Sequence, residues 1–512
     1  MKNLISDLKV KKSVPSYSVP IQFIKLATDV ISPFLVWLFN LCFTHGCFPE
    51  VLKMSEVLPI HKAGSKAKAT NYRPIALLSP FAKLLEKAIY SRIDNFFTSN
   101  HLFFPNQFGF RKNSSTENAV LQIYENLLGS LDRKEITCSV FVDLSKAFDT
   151  VNHSILLSKL EKYGVRGVSL TLFESYLNNR FQYSIINGSK SKIKKITCGV
   201  PQGSTLGPLL FLIYVNDMHL VSQLNLNLFA DDAYFSFSNS SPQLLENKVN
   251  EEMNKVLDWL NTNKQKLNLS KTVYMIVSKK SLKHKFKIKI GNQEISRQRE
   301  SRYLGVIIDD RLTWKSHLKK IKSKLASGCW ALYRLKNFVN RNTLRMVYCG
   351  LIYQTLQYCI SCWGFASQCH LEPLNVLNRR AIRTIYNVPW DAHTTPLFYD
   401  LKILKLKDMY TFQIAKIMHQ YSSNSYKGKY NITSVKNVHN YPTRFAESLN
   451  FYEQPSTLKS TNRALSVAGP KVWAQIPKEI KTLPFNTFKV VYKNFLLEKY
   501  CEQSLVPISR VC

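Results

Sequence analysis

Acidic residues are scarce in this chain of 512 residues. It has 34 Asp and Glu residues against 70 Lys and Arg residues, which gives a formal net charge of +36 at pH 7. The basic excess runs through stretches along the whole chain, such as 53–68, 190–195, 279–289 and 315–324. Charge spread over whole domains, rather than confined to a tail, is typical of a protein that holds a polyanion along an extended surface. We therefore expect a nucleic acid partner, with general solubility or attraction to a membrane surface as the alternatives.

The chain also lacks the cysteine pattern and the leader of a secreted protein. Its 11 cysteines are odd in number and irregularly spaced, which argues against a disulfide framework. Lys2, Asp7 and Lys9 interrupt the apolar run that a signal peptide would need. Cys359 and Cys362 have zinc-finger spacing but no second matched pair, so we expect core thiols. These features predict an intracellular protein, in the nucleus and/or the cytoplasm.

Long apolar runs are absent as well. The most apolar stretch, Val30 to Phe43, is short and contains Pro33 and Asn40. It predicts a buried helix and no membrane span. Hydrophobic residues nevertheless make up 45% of the chain, enough for folded cores. A chain of this length predicts two or three domains.

Two adjacent aspartates stand between two stretches that predict strands. Asn225 to Phe229 alternates polar and apolar residues, and β-favouring residues follow from Tyr234. Asp231 and Asp232 between them fit an ordinary surface turn. They also fit a carboxylate pair that waits for a divalent metal, because each charge raises the pKa of the other unless a cation intervenes.

A third aspartate and a Gly-Pro loop lie earlier in the chain. An apolar strand from Thr137 ends abruptly at Asp143, and a carboxylate at the carboxyl end of a buried strand is a frequent place for chemistry. A helix cap, the plainer role, would suit Asp149 better because it lies nearer the next helix. The loop Gly199-Val-Pro-Gln202-Gly203 precedes an apolar helix that begins near Pro208.

A basic hairpin is predicted from Glu56 to Ser79. Lys62 and Arg73 within it could donate to phosphate oxygens, the arginine in a bidentate manner. A solvated hairpin explains the same pattern. Further along, the stretch from Ser301 to Asp309 predicts one strand ending at a turn, and basic helices follow.

Taken together, these motifs resemble the palm of a reverse transcriptase. The words Asp143-Leu-Ser-Lys-Ala-Phe-Asp-Thr-Val-Asn-His153, Gly207-Pro-Leu-Leu-Phe211 and Phe229-Ala-Asp-Asp232 are similar to those of non-LTR retrotransposon polymerases, jockey-like and chicken-repeat-like groups in particular. The likeness runs from about residue 20 to the end. It includes the words Asn440-Tyr-Pro-Thr-Arg444 and Gly469-Pro-Lys-Val-Trp473.

The resemblance implies an α+β fold of the right-hand polymerase type, with fingers, a palm built on an antiparallel sheet and a helical thumb, followed by a mainly helical C-terminal region. We expect residues 1–41 to form an N-terminal extension and the start of the fingers. Residues 42–309 would form the fingers and palm, residues 310–400 the thumb and residues 401–512 the C-terminal region.

The resemblance also implies a metal-dependent active site. Asp143, Asp231 and Asp232 match the family's catalytic carboxylates, with the Leu144 carbonyl as a further ligand of two Mg²⁺ ions, or of Mn²⁺. Lys271 matches a lysine that protonates pyrophosphate. The substrate-binding residues implied are Lys62 and Arg73 on the triphosphate, Phe148 as a steric gate against a ribose 2′-hydroxyl, Gln202 near the incoming nucleotide and template, and Tyr303, Leu304 and Gly305 as the primer grip.

The implied activity is RNA-directed DNA synthesis from a primer 3′-hydroxyl, with an RNA template, a DNA primer or target, and dNTPs as partners. About 140 residues precede Asp143, too few for the fingers and the family's endonuclease domain together. We expect the chain to lack that domain, as a truncated copy or a fragment of a longer product. A non-catalytic RNA-binding remnant is the first alternative, because the opening Lys12-Ser13-Val-Pro15 word lacks the family's Gly and Asp. An RNA-dependent RNA polymerase is a second alternative, which Phe148 disfavours.

Overall fold

The computed structural model describes residues 1–10, 14–423, 430, 432–438, 441, 443, 448–453 and 461–504. The opening word at Lys12-Ser13 and most of the Asn440–Arg444 word lie outside the described residues. The strands are, in chain order, β1 (Met54–His61), β2 (Tyr72–Leu77), β3 (Ile136–Val142), β4 (Leu144–Ser145), β5 (Arg180–Ile186), β6 (Ser189–Lys190), β7 (Lys194–Ile196), β8 (Asn225–Phe229), β9 (Asp232–Asn239), β10 (Lys266–Leu267), β11 (Val273–Val277), β12 (Lys289–Ile290), β13 (Gln293–Glu294), β14 (Ser296–Arg297), β15 (Glu300–Tyr303) and β16 (Val306–Asp309).

The α-helices are α1 (Lys2–Ser6), α2 (Ile21–Leu26), α3 (Thr28–His45), α4 (Pro80–Ser99), α5 (Thr116–Asp132), α6 (His153–Lys162), α7 (Val168–Leu177), α8 (Leu206–Val215), α9 (Pro242–Thr262), α10 (Lys315–Leu335), α11 (Arg341–Tyr348), α12 (Gln354–Gln357), α13 (Ile360–Trp363), α14 (Gln368–Tyr386), α15 (Thr395–Asp400), α16 (Leu406–Ser422), α17 (Leu465–Ala474), α18 (Lys478–Lys481) and α19 (Phe485–Ser504). Within the described ranges, no helix combines the length and the apolar character needed to cross a membrane.

The central sheet has the strand order β14-β11-β3-β9-β8, and its pairings are antiparallel except for that of β11 with β14. Every residue of β3 is buried, because the strand lies in the middle and both sheet faces are covered. Val140 and Ile276 face one hydrophobic core, whereas Phe141 and Met275 face another. The period-2 alternation of a strand thus divides the apolar residues between two cores.

The two cores divide the chain unequally. The N-terminal core contains buried residues of α1 to α4, of α6 to α9 and of the strands, such as Leu84 and Phe211. The C-terminal core joins the other face of the sheet and the apolar side of α5 to the helices from α10 to α19. Its buried residues continue across residue 400, for example from Phe398 to Leu404.

Two carboxylates of α5 fasten this helix to the C-terminal helices. Glu117 accepts hydrogen bonds from the Ser361 hydroxyl at 2.5 Å and from the Gln413 side-chain amide at 2.6 Å. Eight positions further along, Glu125 accepts a bond of 2.5 Å from the Leu465 backbone N–H at the start of α17. The helical C-terminal region therefore packs against the back of the central sheet through α5.

A second sheet has the order β2-β1-β5-β6, with β7 also on β5. The predicted basic hairpin is confirmed, with Ile60 opposite Arg73. β1 continues in parallel with β5, so the hairpin is joined to the chain that follows α7. Asn187 and Gly188 have positive φ values of 51° and 82°, as the predicted two-residue turn between β5 and β6 requires.

Three expectations need correction. The apolar stretch Val30 to Phe43 does form a helix, but Val30, Phe34 and Trp37 are exposed, so the helix is only half buried. The predicted strand from Ser301 to Asp309 is a hairpin of β15 and β16, because Leu304 and Gly305 adopt positive φ values. The helix after Asp149 is capped by the side chain of Asn152, not by Asp149.

The thiols of Cys359 and Cys362 are free and buried in the C-terminal core, as expected. The architecture is a mixed α+β fold with a helical C-terminal region, which confirms the predicted fold class at that level.

Candidate active site

The ends of two paired strands bring the three predicted aspartates to one edge of the central sheet. Val142, the last residue of β3, pairs with Ala233 of β9. Asp143 therefore leaves the sheet beside Asp232, the first residue of β9. The edge where the strand-end carboxylates meet is the candidate active site.

The turn that presents Asp231 is tight. Phe229 pairs with Asp232, so Ala230 and Asp231 alone connect β8 to β9. Ala230 has a φ of 56°, a conformation that a residue with a Cβ adopts at a cost. Its N–H donates to the Gln107 side-chain oxygen at 3.1 Å. The aspartate pair is thus held in a strained turn that a separate segment supports.

Burial and mutual repulsion together disfavour charged carboxylates at this edge. Removal from water, followed by the negative charges of Asp231 and Asp143, raises the pKa of Asp232 to about 6, although its side chain stays accessible. Burial and then the charge of Asp143 also raise the pKa of Asp231, which Arg73 and Lys62 oppose. The charges of Asp143 and Asp231 thus oppose ionisation of Asp232, whereas the charges of Arg73 and Lys62 favour ionisation of Asp231.

Lys271 and Asn268 hold Asp143. The ammonium of Lys271 lies 3.6 Å from the Asp143 Oδ2 atom. The Asn268 side-chain amide donates to the same oxygen at 3.0 Å, and its backbone N–H donates to the Asp143 carbonyl at 2.9 Å. Lys271, the predicted proton donor, therefore lies beside Asp143, a predicted metal ligand.

The carboxylates fit a hard divalent cation by their chemistry. Among the residues that the structure describes, no group of three or more His, Cys, Asp or Glu side chains is arranged to hold a metal ion. Asp143 is oriented instead by Lys271 and Asn268. Carboxylate and carbonyl oxygens are the ligands that Mg²⁺ and Mn²⁺ prefer, and a cation would remove the repulsion that raises the pKa values of Asp231 and Asp232.

The β1–β2 hairpin presents two cations toward this edge. Both Lys62 and Arg73 are exposed. The Lys62 N–H donates to the Asn71 carbonyl at 2.8 Å, which continues the hairpin pairing beyond β1. Both positive charges lower the pKa of Asp231, so their fields reach the carboxylates.

The predicted Gly-Pro loop is fixed on two sides. Gly199 and Gly203 have φ values of 84° and 114°, and a Cβ at either would lie within 3 Å of backbone atoms of Asp149 or Ala76. The Gln202 carbonyl accepts a bond of 2.6 Å from the Ala76 N–H. Its side-chain amide donates to Asp149 at 2.8 Å. Gln202 thus joins the loop both to the basic hairpin and to the turn that follows Asp143.

Phe148 has little freedom to turn. Its ring stacks on Phe211 of α8 with centroids 4.4 Å apart. The ring of Phe110 meets it edge-on at 6.2 Å. A half-buried ring held on two sides is a rigid wall, which is the property that a steric gate needs.

The predicted primer grip is the tip of the β15–β16 hairpin. Tyr303 is buried in the C-terminal core, so its side chain faces the core and not the surface. The carbonyl of Leu304 accepts a bond of 2.5 Å from the Tyr358 hydroxyl, and that of Gly305 accepts one of 3.4 Å from the Lys320 ammonium. The more accessible part of this motif is therefore its half-buried backbone turn, which Tyr358 and Lys320 hold in place.

The sequence patterns do not predict two residues that support the aspartates, Asn268 and Gln107. Asn268 lies in the same word as Lys271, but a single asparagine before a strand carries no periodic signal. Gln107 belongs to a segment that pairs alongside Leu228 of β8. A Cβ at the nearby Gly109 would meet the backbone N of Ala230 at 2.3 Å. In the sequence, this close approach is indicated by a glycine between two phenylalanines, Phe108 and Phe110.

Residues 60–308 match the family "Reverse transcriptase (RNA-dependent DNA polymerase)". The chain is 29% identical over 438 residues to "Probable RNA-directed DNA polymerase from transposon BS" of Drosophila melanogaster, an alignment that covers 82% of this chain and 47% of the relative. It is 27% identical over 421 residues to "RNA-directed DNA polymerase from mobile element jockey" of the same organism, covering 80% and 46%. The chain thus spans about half the length of these curated relatives.

Among solved structures, apo telomerase from Candida tropicalis aligns with 74% of this chain and 67% of its own chain, at a TM-score of 0.39 and 13% identity. The strand-end aspartates, the Gly-Pro loop and the basic hairpin all lie within the residues that match the family or at their border. Residues 60–308 therefore resemble reverse transcriptases, and most of the chain is similar to RNA-directed DNA polymerases from transposons and mobile elements.

Proposed function

We propose that this chain extends a primer 3′-hydroxyl with dNTPs on an RNA template. The observation that carries the proposal is the meeting of Asp143, Asp231 and Asp232 at one sheet edge, with the charges of Lys62 and Arg73 acting on it. Phosphoryl transfer depends on positioning and charge stabilisation, which such an arrangement can provide.

In this proposal the chain has the right-hand polymerase arrangement. Residues 42–309 form the fingers and palm, with the central sheet as the palm and the β1–β2 hairpin in the fingers. Residues 310–400 form the thumb, and residues 1–41 and 401–512 are the extensions on either side. The attachment of Lys320 to the tip of β15–β16 supports this reading, because it joins the first helix of the thumb to the primer grip.

The carboxylates of Asp143, Asp231 and Asp232 and the Leu144 carbonyl would hold two Mg²⁺ ions, or Mn²⁺. When bound, the ions would lower the pKa of the primer hydroxyl and stabilise the departing pyrophosphate. Lys271 supplies a proton to the pyrophosphate, since its ammonium already lies at the carboxylate edge.

The remaining residues position the nucleotide. Lys62 and Arg73 bind the triphosphate oxygens, and Gln202 contacts the incoming nucleotide and template. Phe148 excludes a ribose 2′-hydroxyl, which favours dNTPs. The turn at Leu304 and Gly305 supports the primer strand. A protein that copies RNA in this way works inside the cell, in the nucleus and/or the cytoplasm.

The deciding experiment is primer extension by the purified chain with an RNA template, dNTPs and Mg²⁺ or Mn²⁺. The Asp231→Asn/Asp232→Asn variant is the matched control, because it keeps the shape of both side chains and removes their charge. Extension by the wild type alone supports the proposal. No extension above the control, together with salt-sensitive RNA binding by both proteins, would instead indicate a non-catalytic RNA-binding remnant. Preference for rNTPs would indicate an RNA polymerase.

A further inference from the structure

A groove of about 480 Å³ lies between α10, α14 and the loop that follows α14. Aromatic and cationic side chains line it together. Tyr333 and Trp390 contribute the rings, and Lys336, Arg380 and Arg383 contribute the charges. Within the described part of the chain, its lining contains no acidic side chain.

The rings of this groove are unusually accessible. Trp390 is 87% exposed and Tyr333 is 57% exposed. Large aromatic side chains contribute most to stability when they are buried, so exposing two of them beside one groove forgoes that gain. Clustered exposed apolar surface marks an interaction site more often than isolated exposed residues do.

The cations are partly positioned in advance. The Lys336 ammonium donates to the Asn387 side-chain oxygen at 3.0 Å. The Nε atom of Arg383 donates to the Ala392 carbonyl at 2.8 Å, which uses one of the five donors of the guanidinium. Both bonds run to the loop that carries Trp390. Charges and ring are therefore held in one unit.

The groove is lined by residues other than those of the catalytic edge. Lys320, near the start of α10, reaches the Gly305 carbonyl at the β15–β16 tip. Tyr333 follows it by 13 positions in the same helix, which places Tyr333 about 20 Å from Lys320 along the helix axis. None of the residues that line the groove belongs to the proposed nucleotide site. A ligand in the groove does not compete for space with a nucleotide at Asp231 and Asp232.

We propose that this groove binds an unpaired nucleic acid strand, with bases stacked on Trp390 and Tyr333 and phosphates held by Lys336, Arg380 and Arg383. Rings set among cations bind single strands without regard to sequence, because every base has a face to stack. A paired duplex hides its base faces and could use only the cations. The groove is thus a site for single strands, additional to the proposed template–primer cleft.

The test uses the full chain and a fluorescently labelled short uridine RNA, with binding followed by anisotropy. Trp390→Ala is expected to weaken binding about tenfold, since stacking is typically worth 1–3 kcal/mol per base, and to leave the salt dependence unchanged. Trp390→Phe should recover part of the loss. Arg380→Gln should weaken binding and reduce the salt slope by about one unit.

The matched control is Trp37→Ala, because Trp37 is also exposed, at 65%, but lies on α3 outside the groove. It should bind the RNA as the wild type does. A blunt RNA–DNA hybrid serves as the second probe, and Trp390→Ala should bind it normally. Wild-type affinity of Trp390→Ala for the uridine RNA, or equal losses for RNA and hybrid, would overturn the proposal.

Analytical ultracentrifugation distinguishes a protein partner. If Trp390→Ala abolishes a concentration-dependent dimer and leaves RNA binding intact, the groove is a protein interface and the proposal is wrong. The Asp231→Asn/Asp232→Asn variant separates this proposal from the polymerase. It should keep the Trp390-dependent RNA binding even though it extends no primer. If the wild type binds RNA through Trp390 but extends no primer, the groove proposal stands and the polymerase proposal is wrong.

Discussion

The Gln202 side-chain amide and the Asp149 carboxylate form a hydrogen bond of 2.8 Å. Burial raises the pKa of Asp149, which the bond from Gln202 opposes. Gln202 also accepts a backbone bond from Ala76 of β2. One residue thus sets the distance between the Gly-Pro loop, the turn after Asp143 and the basic hairpin.

We expect Asp149→Ala to release the Gln202 side chain and to raise the KM for dNTPs by about tenfold, the equivalent of one hydrogen bond of about 1.4 kcal/mol. The value of kcat should change less, because Asp149 does not touch the reacting groups. Steady-state extension at varied dNTP concentration measures both. Asp149→Asn keeps an acceptor oxygen and is the control. An unchanged KM in the alanine variant would show that the bond does not position the nucleotide.

Replacing Phe148 by Val should relax sugar discrimination. The rigid ring stacked on Phe211 would be lost, and space would open for a 2′-hydroxyl. The ratio of kcat/KM for rNTP over dNTP is expected to rise by about a hundredfold or more, as steric exclusion can provide. Single-nucleotide incorporation measures the ratio. Phe148→Tyr keeps the bulk and should keep the discrimination. Equal ratios in the valine variant and the wild type would remove Phe148 as the gate.

Substituting Lys271 by Ala should lower the rate of the chemical step by about 10²- to 10⁴-fold, the usual contribution of a general acid. Lys271 also contacts Asp143, so the alanine variant loses both a positive charge and a proton donor. A second variant is needed to separate these two effects. Lys271→Arg preserves the charge but gives up protons far less readily. Single-turnover kinetics should therefore place both variants well below the wild type. Full activity of the arginine variant would assign Lys271 a purely electrostatic role.

Glu125 should make stability depend on pH. Burial raises its pKa to about 7, against the opposing bonds from Leu465 and Ser466 at the start of α17. The folded state then binds more protons than the unfolded state between about pH 4.5 and pH 7, so this contribution to the free energy of unfolding decreases as pH rises through that window. Relative to wild type, Glu125→Gln should gain stability above pH 7, by up to about 3 kcal/mol.

Urea unfolding of both proteins at pH 5 and pH 8 measures the difference. Glu161→Gln, at an exposed position, is the control and should show no pH-dependent difference from wild type. A Glu125→Gln variant that loses stability equally at both pH values would show that the carboxyl is needed as a cap in either charge state.

Local patterns were sufficient to predict the strands that carry the candidate site. The two strands around Asp231 and the strand before Asp143 have the alternation or continuous apolar character that strands require. Their meeting at one sheet edge depends on the register between β3 and β9, and no local pattern specifies that register. Here the resemblance to a family supplied what periodicity could not.

The missed features depend on contacts between distant segments. Gly305 falls within an apolar run, so the run was predicted as one strand and the turn was hidden. The exposure of Phe34 and Trp37 on α3 could not be predicted either, because an apolar helix face has the same composition whether or not a neighbour covers it. Asn268 and Gln107 act through hydrogen bonds across more than a hundred residues, and such bonds leave no pattern in the local sequence.

The pairing of α5 with α17 has a consequence for biosynthesis. Glu125 and Leu465 are 340 positions apart. At translation rates of about 5–20 residues per second, Leu465 is therefore synthesised some tens of seconds after Glu125. During that interval the part of α5 around Glu125 lacks the contacts that α17 provides. A nascent chain in this state should be a substrate for chaperones until α17 has been synthesised.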